Sequence, residues 1–269
     1  MRGLLIMRVL VFLFFIFTAN SSLSDEYPFA HCNLSNRSKD DNSELLQIAK
    51  KFLELDNYEL GRSTYQLLAE LCEPKALEWY GFHFSRSENF KQNAWSWRTF
   101  KKAADYGERF SQLLVGTAYY EGNEFLNQDY QKAAKYLSMA WENNVLEVGG
   151  YLAHLYFFGN GVEKSINKAV QIAKRAEKAR GAPLSTGDND SLIGYMHLLG
   201  SGLELNDLAA LEYFEKALTS KAPNYGAAYL TAITYALNDM PELALLWVNI
   251  YLTLAGPNDL AIDLAALLA

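Results

Sequence analysis

Gly116-Thr-Ala-Tyr119-Tyr-Glu-Gly122 and Ala153-His-Leu-Tyr156-Phe-Phe-Gly159 are two copies of one pattern, small-x-x-aromatic-x-x-small. It recurs at Gly194-Tyr-Met-His197-Leu-Leu-Gly200, in weaker form at Leu230-Thr-Ala-Ile233-Thr-Tyr-Ala236, and upstream at Gly81-Phe-His-Phe84-Ser-Arg-Ser87. The copies start 35, 37, 41 and 36 residues apart. A second pattern follows each copy in step: Ser96-Trp-Arg-Thr99-Phe100-Lys-Lys-Ala103, Ala133-Ala-Lys-Tyr136-Leu137-Ser-Met-Ala140, Ala169-Val-Gln-Ile172-Ala173-Lys-Arg-Ala176, Ala210-Leu-Glu-Tyr213-Phe214-Glu-Lys-Ala217 and Ala244-Leu-Leu-Trp247-Val248-Asn-Ile-Tyr251. Residues three, four and seven apart share one face of an α-helix, so each pattern is one helix with a small–large–small stripe. Alanine and glycine let two helices approach, and the large residue fills the groove between them. The unit is a helix–turn–helix pair that cannot bury its apolar face alone, and stacking on its neighbours buries it. The fold class expected is all-α, a superhelical α/α solenoid.

The units resemble Sel1-like repeats, relatives of the tetratricopeptide repeat. The resemblance rests on Ala153-His-Leu-Tyr156-Phe-Phe-Gly159-Asn-Gly161-Val162 with Lys168-Ala169, on Gly200-Ser-Gly202-Leu203 with Tyr213-Phe214-Glu-Lys216-Ala217, and on Phe100-Lys-Lys102-Ala103-Ala104-Asp-Tyr-Gly107. In that family the Gly-x-Gly segment turns the chain between helices and the motif residues are structural. The resemblance therefore implies architecture and, by extension, protein binding, but no activity. It is assigned to residues 75–255, behind a capping helix pair at 44–74 and ahead of a capping helix at 256–269. Two departures stand out. Gly181 to Asp190 is inserted between the third and fourth pairs. The loop Glu121 to Asn127 lacks the second glycine and carries Phe125 and Leu126.

The first residues read differently. Arg2 and Arg8 precede the apolar run Val9 to Phe17, and small and polar residues follow to Ser24. That order is the pattern of a secretory leader, assigned to residues 1–24 with cleavage before Asp25. The apolar run falls short of the roughly 20 residues that span a bilayer. An uncleaved anchor is the alternative. Losing two arginines takes the formal charge from −7 to −9. An acidic chain suits neither a phosphate backbone nor an anionic membrane surface, so neither nucleic acid nor stable membrane insertion of the mature chain is expected.

Cys32 and Cys72 are the two cysteines. In an oxidising compartment one disulfide is the simple reading, tying the irregular segment 25–43 to the first helical pair; two free thiols are the alternative. His83, His154 and His197 occupy three different phases of their repeats and read as packing or surface residues. His31, beside Cys32, keeps a weak metal reading alive. No nucleophile elbow, phosphate loop, dinucleotide fingerprint or zinc-helix motif occurs, so neither catalysis nor a cofactor or metal is expected.

What remains is recognition. Side chains beside the packed faces of the first helices of the pairs should reach a binding surface, and His83, Tyr120, Glu121, Phe157, Tyr195 and Tyr235 are the candidate protein-binding residues. The expected function is a non-catalytic adaptor or scaffold in the bacterial envelope, periplasmic or secreted, whose partner is an envelope component or a secreted effector. One alternative is an immunity protein or inhibitor occluding a toxin or lipase effector, a role the resemblance includes. The other is an enzyme or metal-binding protein.

Overall fold

The structure is a computed structural model that describes residues 27–32, 42–86, 90–177 and 187–269. The expected leader, most of the irregular N-terminal segment and most of the inserted segment after the third pair lie outside the described residues. The chain divides into two compact units, up to Gln112 and from Leu113, and each is described by itself. Every regular element among the described residues is helical.

The first unit contains α1 (Ser43–Glu54), α2 (Tyr58–Glu70), α3 (Pro74–Ser85) and α4 (Phe90–Asp105). Pro74 follows α2 and also opens α3, where its missing N–H costs nothing. The Glu73 carboxylate accepts from the Ala76 amide and caps that helix. Packing pairs α1 with α2 and α3 with α4. At the centre Phe29, Leu68, Leu77, Tyr80, Phe84 and Trp95 form one buried cluster. The expected disulfide joins Cys32 to Cys72 inside that cluster, with Cα atoms 5.4 Å apart. It fastens segment 27–32 to the C-terminal end of α2, and the Lys102 ammonium on α4 donates to the Cys32 carbonyl.

The second unit begins within α5 (Arg109–Glu121). It continues through α6 (Tyr130–Glu142), a 3-10 turn at Leu146–Val148, α7 (Gly149–Phe158), α8 (Ile166–Ala176), α9 (Asp188–Leu199), α10 (Asp207–Leu218), α11 (Gly226–Leu237), α12 (Pro241–Ala255) and α13 (Asp259–Leu268). Helices α7 and α8, α9 and α10, and α11 and α12 form pairs. The second helices start on polar caps, as a free helix N-terminus requires. Asp129, Ser165 and Asn206 each accept from the amide three residues on.

One contact repeats within the pairs of both units. A methyl group built on Gly81 would lie 2.5 Å from the Phe100 ring. On Gly116 it would lie 2.8 Å from Leu137, and on Gly194 2.6 Å from Phe214. The first residue of the first pattern is thus the seat for the second large residue of the second pattern. Phe100, Leu137, Ala173, Phe214 and Val248, which share that position, are all buried.

The Gly-x-Gly turns do two jobs. Gly159 and Gly200 end α7 and α9 in the left-handed region, at φ 78° and 58°, where a side chain would be strained. The second glycines touch the preceding repeat: Gly161 lies against the Tyr130 backbone and Gly202 against Ile166 and Val170. In the departing loop Glu124 stands where the second glycine is missing, and Asn123 holds the turn. Its side-chain oxygen accepts from the Phe125 and Leu126 amides, and both apolar side chains are half-buried.

At the C-terminus Ala261, Leu264 and Leu268 of α13 pack against Trp247 and Val248. Leu260 and Leu267 on the same helix point outward.

Gly194→Ala should destabilise the second unit by about 1–3 kcal/mol through overpacking against Phe214. Combining it with Phe214→Leu should cost less than the two single changes summed, measured as a double-mutant cycle in urea unfolding. Protein recovered from its native compartment should contain no free thiol. Replacing both cysteines with serine should lower stability by about 3–4 kcal/mol by the chain-entropy estimate for a loop of this length, with the first unit affected.

Candidate functional site

The first helices of successive pairs lie side by side in the second unit and enclose a groove of about 440 Å³. Helix α5 supplies Tyr120 and Glu121. Helix α7 supplies Gly150, Tyr151, His154 and Phe158, and α9 supplies Asp188, Ser191, Leu192 and Tyr195. Asn224, just before α11, and Leu230 on α11 close the far side. Gly150 has no side chain to fill the floor, and its α-carbon packs against the Asn189 backbone.

The walls are tied together by hydrogen bonds between repeats. The Tyr120 hydroxyl lies 2.8 Å from His154 Nδ1. The Tyr151 hydroxyl donates to Glu121 Oε1 at 3.1 Å, and Asn224 Nδ2 donates to Asp188 Oδ1 at 2.7 Å. The rings meet edge to face or tilted: Tyr120 and Tyr151 are 5.0 Å apart at 70°, and His154 and Phe158 are 4.5 Å apart at 46°. Phe158 and Tyr195 lie more nearly parallel, 6.3 Å apart at 26°.

Burial pushes the Tyr120 and Tyr151 phenols well above the ordinary tyrosine range, and the nearby Asp188 carboxylate pushes them further. Glu121 adds to the effect on both. Burial lowers the His154 imidazole below 6.5, with Asp188 opposing. The groove therefore holds neutral phenols and a neutral imidazole at neutral pH, beside two carboxylates.

Of the six candidate protein-binding residues, Tyr120, Glu121 and Tyr195 come together in the groove. Phe157 does not reach it. It is only 5% exposed and packs behind Tyr195 at 6.0 Å, while its neighbour Phe158 takes the groove position. One residue along a helix is about a 100° rotation, enough to exchange core for surface. Tyr235 is half-buried on α11 and does not line the groove, where Leu230 stands instead. His83 belongs to the first unit, half-buried and stacked on Trp79 at 5.5 Å.

His154, read from its phase as a packing or surface residue, faces the groove. It sits one residue after Ala153, as Tyr195 sits one residue after Gly194, and that shared offset was the available signal. Asp188 and Asn224 lie outside both patterns, so no periodicity marks them. His197 is elsewhere, against the Glu204 carbonyl and stacked on Tyr213.

Among the described residues, His31, Cys32 and Cys72 are the one cluster with metal-ligand geometry. The disulfide consumes both thiolates that a metal would need, and His31 Nε2 donates to the Glu70 carbonyl at 2.9 Å. The residues present do not fit a metal.

Residues 110–145, 151–179 and 191–220 match the Sel1 repeat. No curated protein matches the chain in sequence. Among solved structures, a Sel1 repeat protein from Oxalobacter formigenes is similar with a TM-score of 0.54 at 20% identity, covering 81% of this chain and 87% of that one. The second is a protective antigen present in uropathogenic Escherichia coli strains. It gives the same TM-score and identity over 79% of this chain but only 46% of its own. These likenesses show the fold.

A histidine held below its unfolded value stabilises the fold above that value, and the contribution is lost as the pH falls beneath it. His154 should therefore contribute fully at about pH 7 and progressively less below about pH 6.5. A His154→Gln variant should lose less stability than the wild type between about pH 7 and about pH 5, measured by urea unfolding at each pH.

Proposed function

We propose that the chain, three stretches of which match the Sel1 repeat, is an exported, non-catalytic adaptor that binds a partner protein in the groove between Tyr120 and Leu230. The observation that carries this reading is the division of labour among side chains. The repeating residues, Gly116 and Leu137 or Gly194 and Phe214, are engaged in packing one helix on the next. The groove is lined instead by residues that the repeats do not share, and these are the ones able to specify a partner. Its size suits the anchor side chains of a protein ligand. It combines aromatic rings with a few placed polar groups, the usual make-up of a recognition hot spot.

The disulfide supports an oxidising compartment, since such bonds persist outside the reducing cytoplasm. No helix among the described residues is long and apolar enough to cross a membrane. With the leader-like first residues, this favours a periplasmic or secreted protein. The immunity or inhibitor reading uses the same groove and differs in what occupies it, an effector enzyme instead of an envelope component.

A photo-crosslinking amino acid placed at Glu121 or Tyr195 should capture one and the same protein in the native host. The same probe at Lys174, an exposed position on α8 away from the groove lining, should not. Equal capture from Lys174, or none from the groove, would overturn the assignment. An enzyme among the adducts that loses activity on mixing with the purified chain would replace the adaptor reading with the inhibitor one.

A further inference from the structure

The outer face of the last helix pair departs from the pairs before it. One residue before the second pattern begins stand Lys132, Lys168 and Ala209 in α6, α8 and α10, and Leu243 in α12. Three residues further on, α6, α8 and α10 expose Lys135, Gln171 and Glu212, whereas α12 exposes Leu246. The turn leading into α12 adds Leu237 and Met240, and the start of α10 adds Leu205 and Leu208. A hydrogen bond from Asn238 Nδ2 to Asp207 Oδ2 at 2.9 Å ties that turn to α10. The six apolar side chains are exposed, from 41% at Leu243 to 76% at Leu208. Single exposed leucines are ordinary, but a group of them on two bonded segments is the mark of an interaction surface. None of the six lines the groove.

The charges around this patch have one sign. Leu205, Leu208, Met240 and Leu243 each directly follow a carboxylate, at Glu204, Asp207, Asp239 and Glu242. Residues 199–215 and 222–269 contain no lysine or arginine. Among the described residues, no basic side chain forms a salt bridge with any of these four carboxylates.

We infer that this surface docks an amphipathic α-helix of a partner protein, with its apolar stripe on the leucines and its flanking lysines or arginines beside the four carboxylates. The surface shares no residue with the groove, so the inference goes beyond the reading above and does not depend on it. Lysine and arginine lay their stems along apolar surface while their charged heads stay in water. A helix with a basic rim therefore covers the leucines and meets the carboxylates at once. Leu243 and Leu246 lie on one face of α12, the spacing at which helical anchors interdigitate. A second copy of the chain, patch to patch, would set acid against acid across the contact. An uncharged apolar segment would take water from the carboxylates and return no partner. An anionic membrane surface would be repelled.

The test uses the full chain and three dye-labelled helical peptides, followed by fluorescence anisotropy. The first repeats Leu-Lys-Lys-Leu-Leu-Lys-Leu twice. The second has glutamate for every lysine, and the third keeps the composition of the first with its leucines spread round the helix. The first should bind saturably and at least about tenfold more tightly than either of the others, a difference of roughly 1.4 kcal/mol. Leu237→Ser with Leu246→Ser should weaken its binding about tenfold. Asp239→Asn with Glu242→Gln should also weaken it and should flatten its dependence on salt. A charge-matched control at exposed positions on other turns, Glu124→Gln with Glu163→Gln, should bind as the wild type does. Circular dichroism establishes that each variant is folded, and the Asp239→Asn with Glu242→Gln pair decides the matter if the serine pair is not. Equal binding of the acidic or the spread-leucine peptide overturns the inference, as does wild-type affinity in either patch variant or an equal loss in the control. A dimer of the wild-type chain in analytical ultracentrifugation that the serine pair abolishes would assign the surface to a second copy and overturn it as well.

Discussion

A bare glycine α-carbon on one helix, seated against a large side chain on the next, sets the spacing on which the helix pairs depend. At Gly81, Gly116 and Gly194 even one methyl group would intrude on Phe100, Leu137 or Phe214. The close approach allows each large residue to be almost wholly removed from water. Burying a side chain of that size contributes about 1.5–3 kcal/mol relative to leaving it exposed. Where the small residue is alanine, at Ala153, the residue in the docking position of the second helix is also small, Ala173. That exchange conserves volume, which is the condition for tolerated change in a packed interior.

The same spacing creates the groove. Once each first helix is packed on its partner helix, some of its positions are left facing the groove. In α5, α7 and α9 those positions hold Tyr120, His154 and Tyr195, all half-buried. Bonds between neighbouring repeats then fix them. The Tyr120–His154 and Tyr151–Glu121 contacts each join α5 to α7, and Asn224–Asp188 joins the start of α9 to the approach to α11. The groove is held by polar contacts that play no part in the hydrophobic stacking beneath it. Pre-organisation of this kind lowers the entropic cost of binding.

The two units differ in how the chain outside the helices is secured. In the first, segment 27–32 packs through Phe29 into the cluster of Tyr80, Phe84 and Trp95 and is covalently attached through Cys32. In the second, the turns do the equivalent work without a covalent link. Gly161 and Gly202 each lie against the preceding repeat, so the turn is part of the stacking interface as well as a change of direction.

The helical class, the pairing of helices, their spacing of 35 to 41 residues and the cysteine pair were all legible in the sequence, because each follows from local periodicity or from simple counting. Periodicity reports which residues share a face of one helix. It does not report the rotation of that helix against its neighbours, and a single residue of phase, about 100°, separates Phe157 in the core from Phe158 in the groove. Tyr120, Glu121 and Tyr195 were within reach because they flank the stripe. Asp188 and Asn224 belong to no repeat and lie 36 residues apart in the chain. Only the stacking of one pair on the next brings those two polar side chains to a common surface. Repetition in the sequence determined the scaffold, since identical contacts recur every unit, and tertiary structure decided the site, since it is assembled from residues that do not recur.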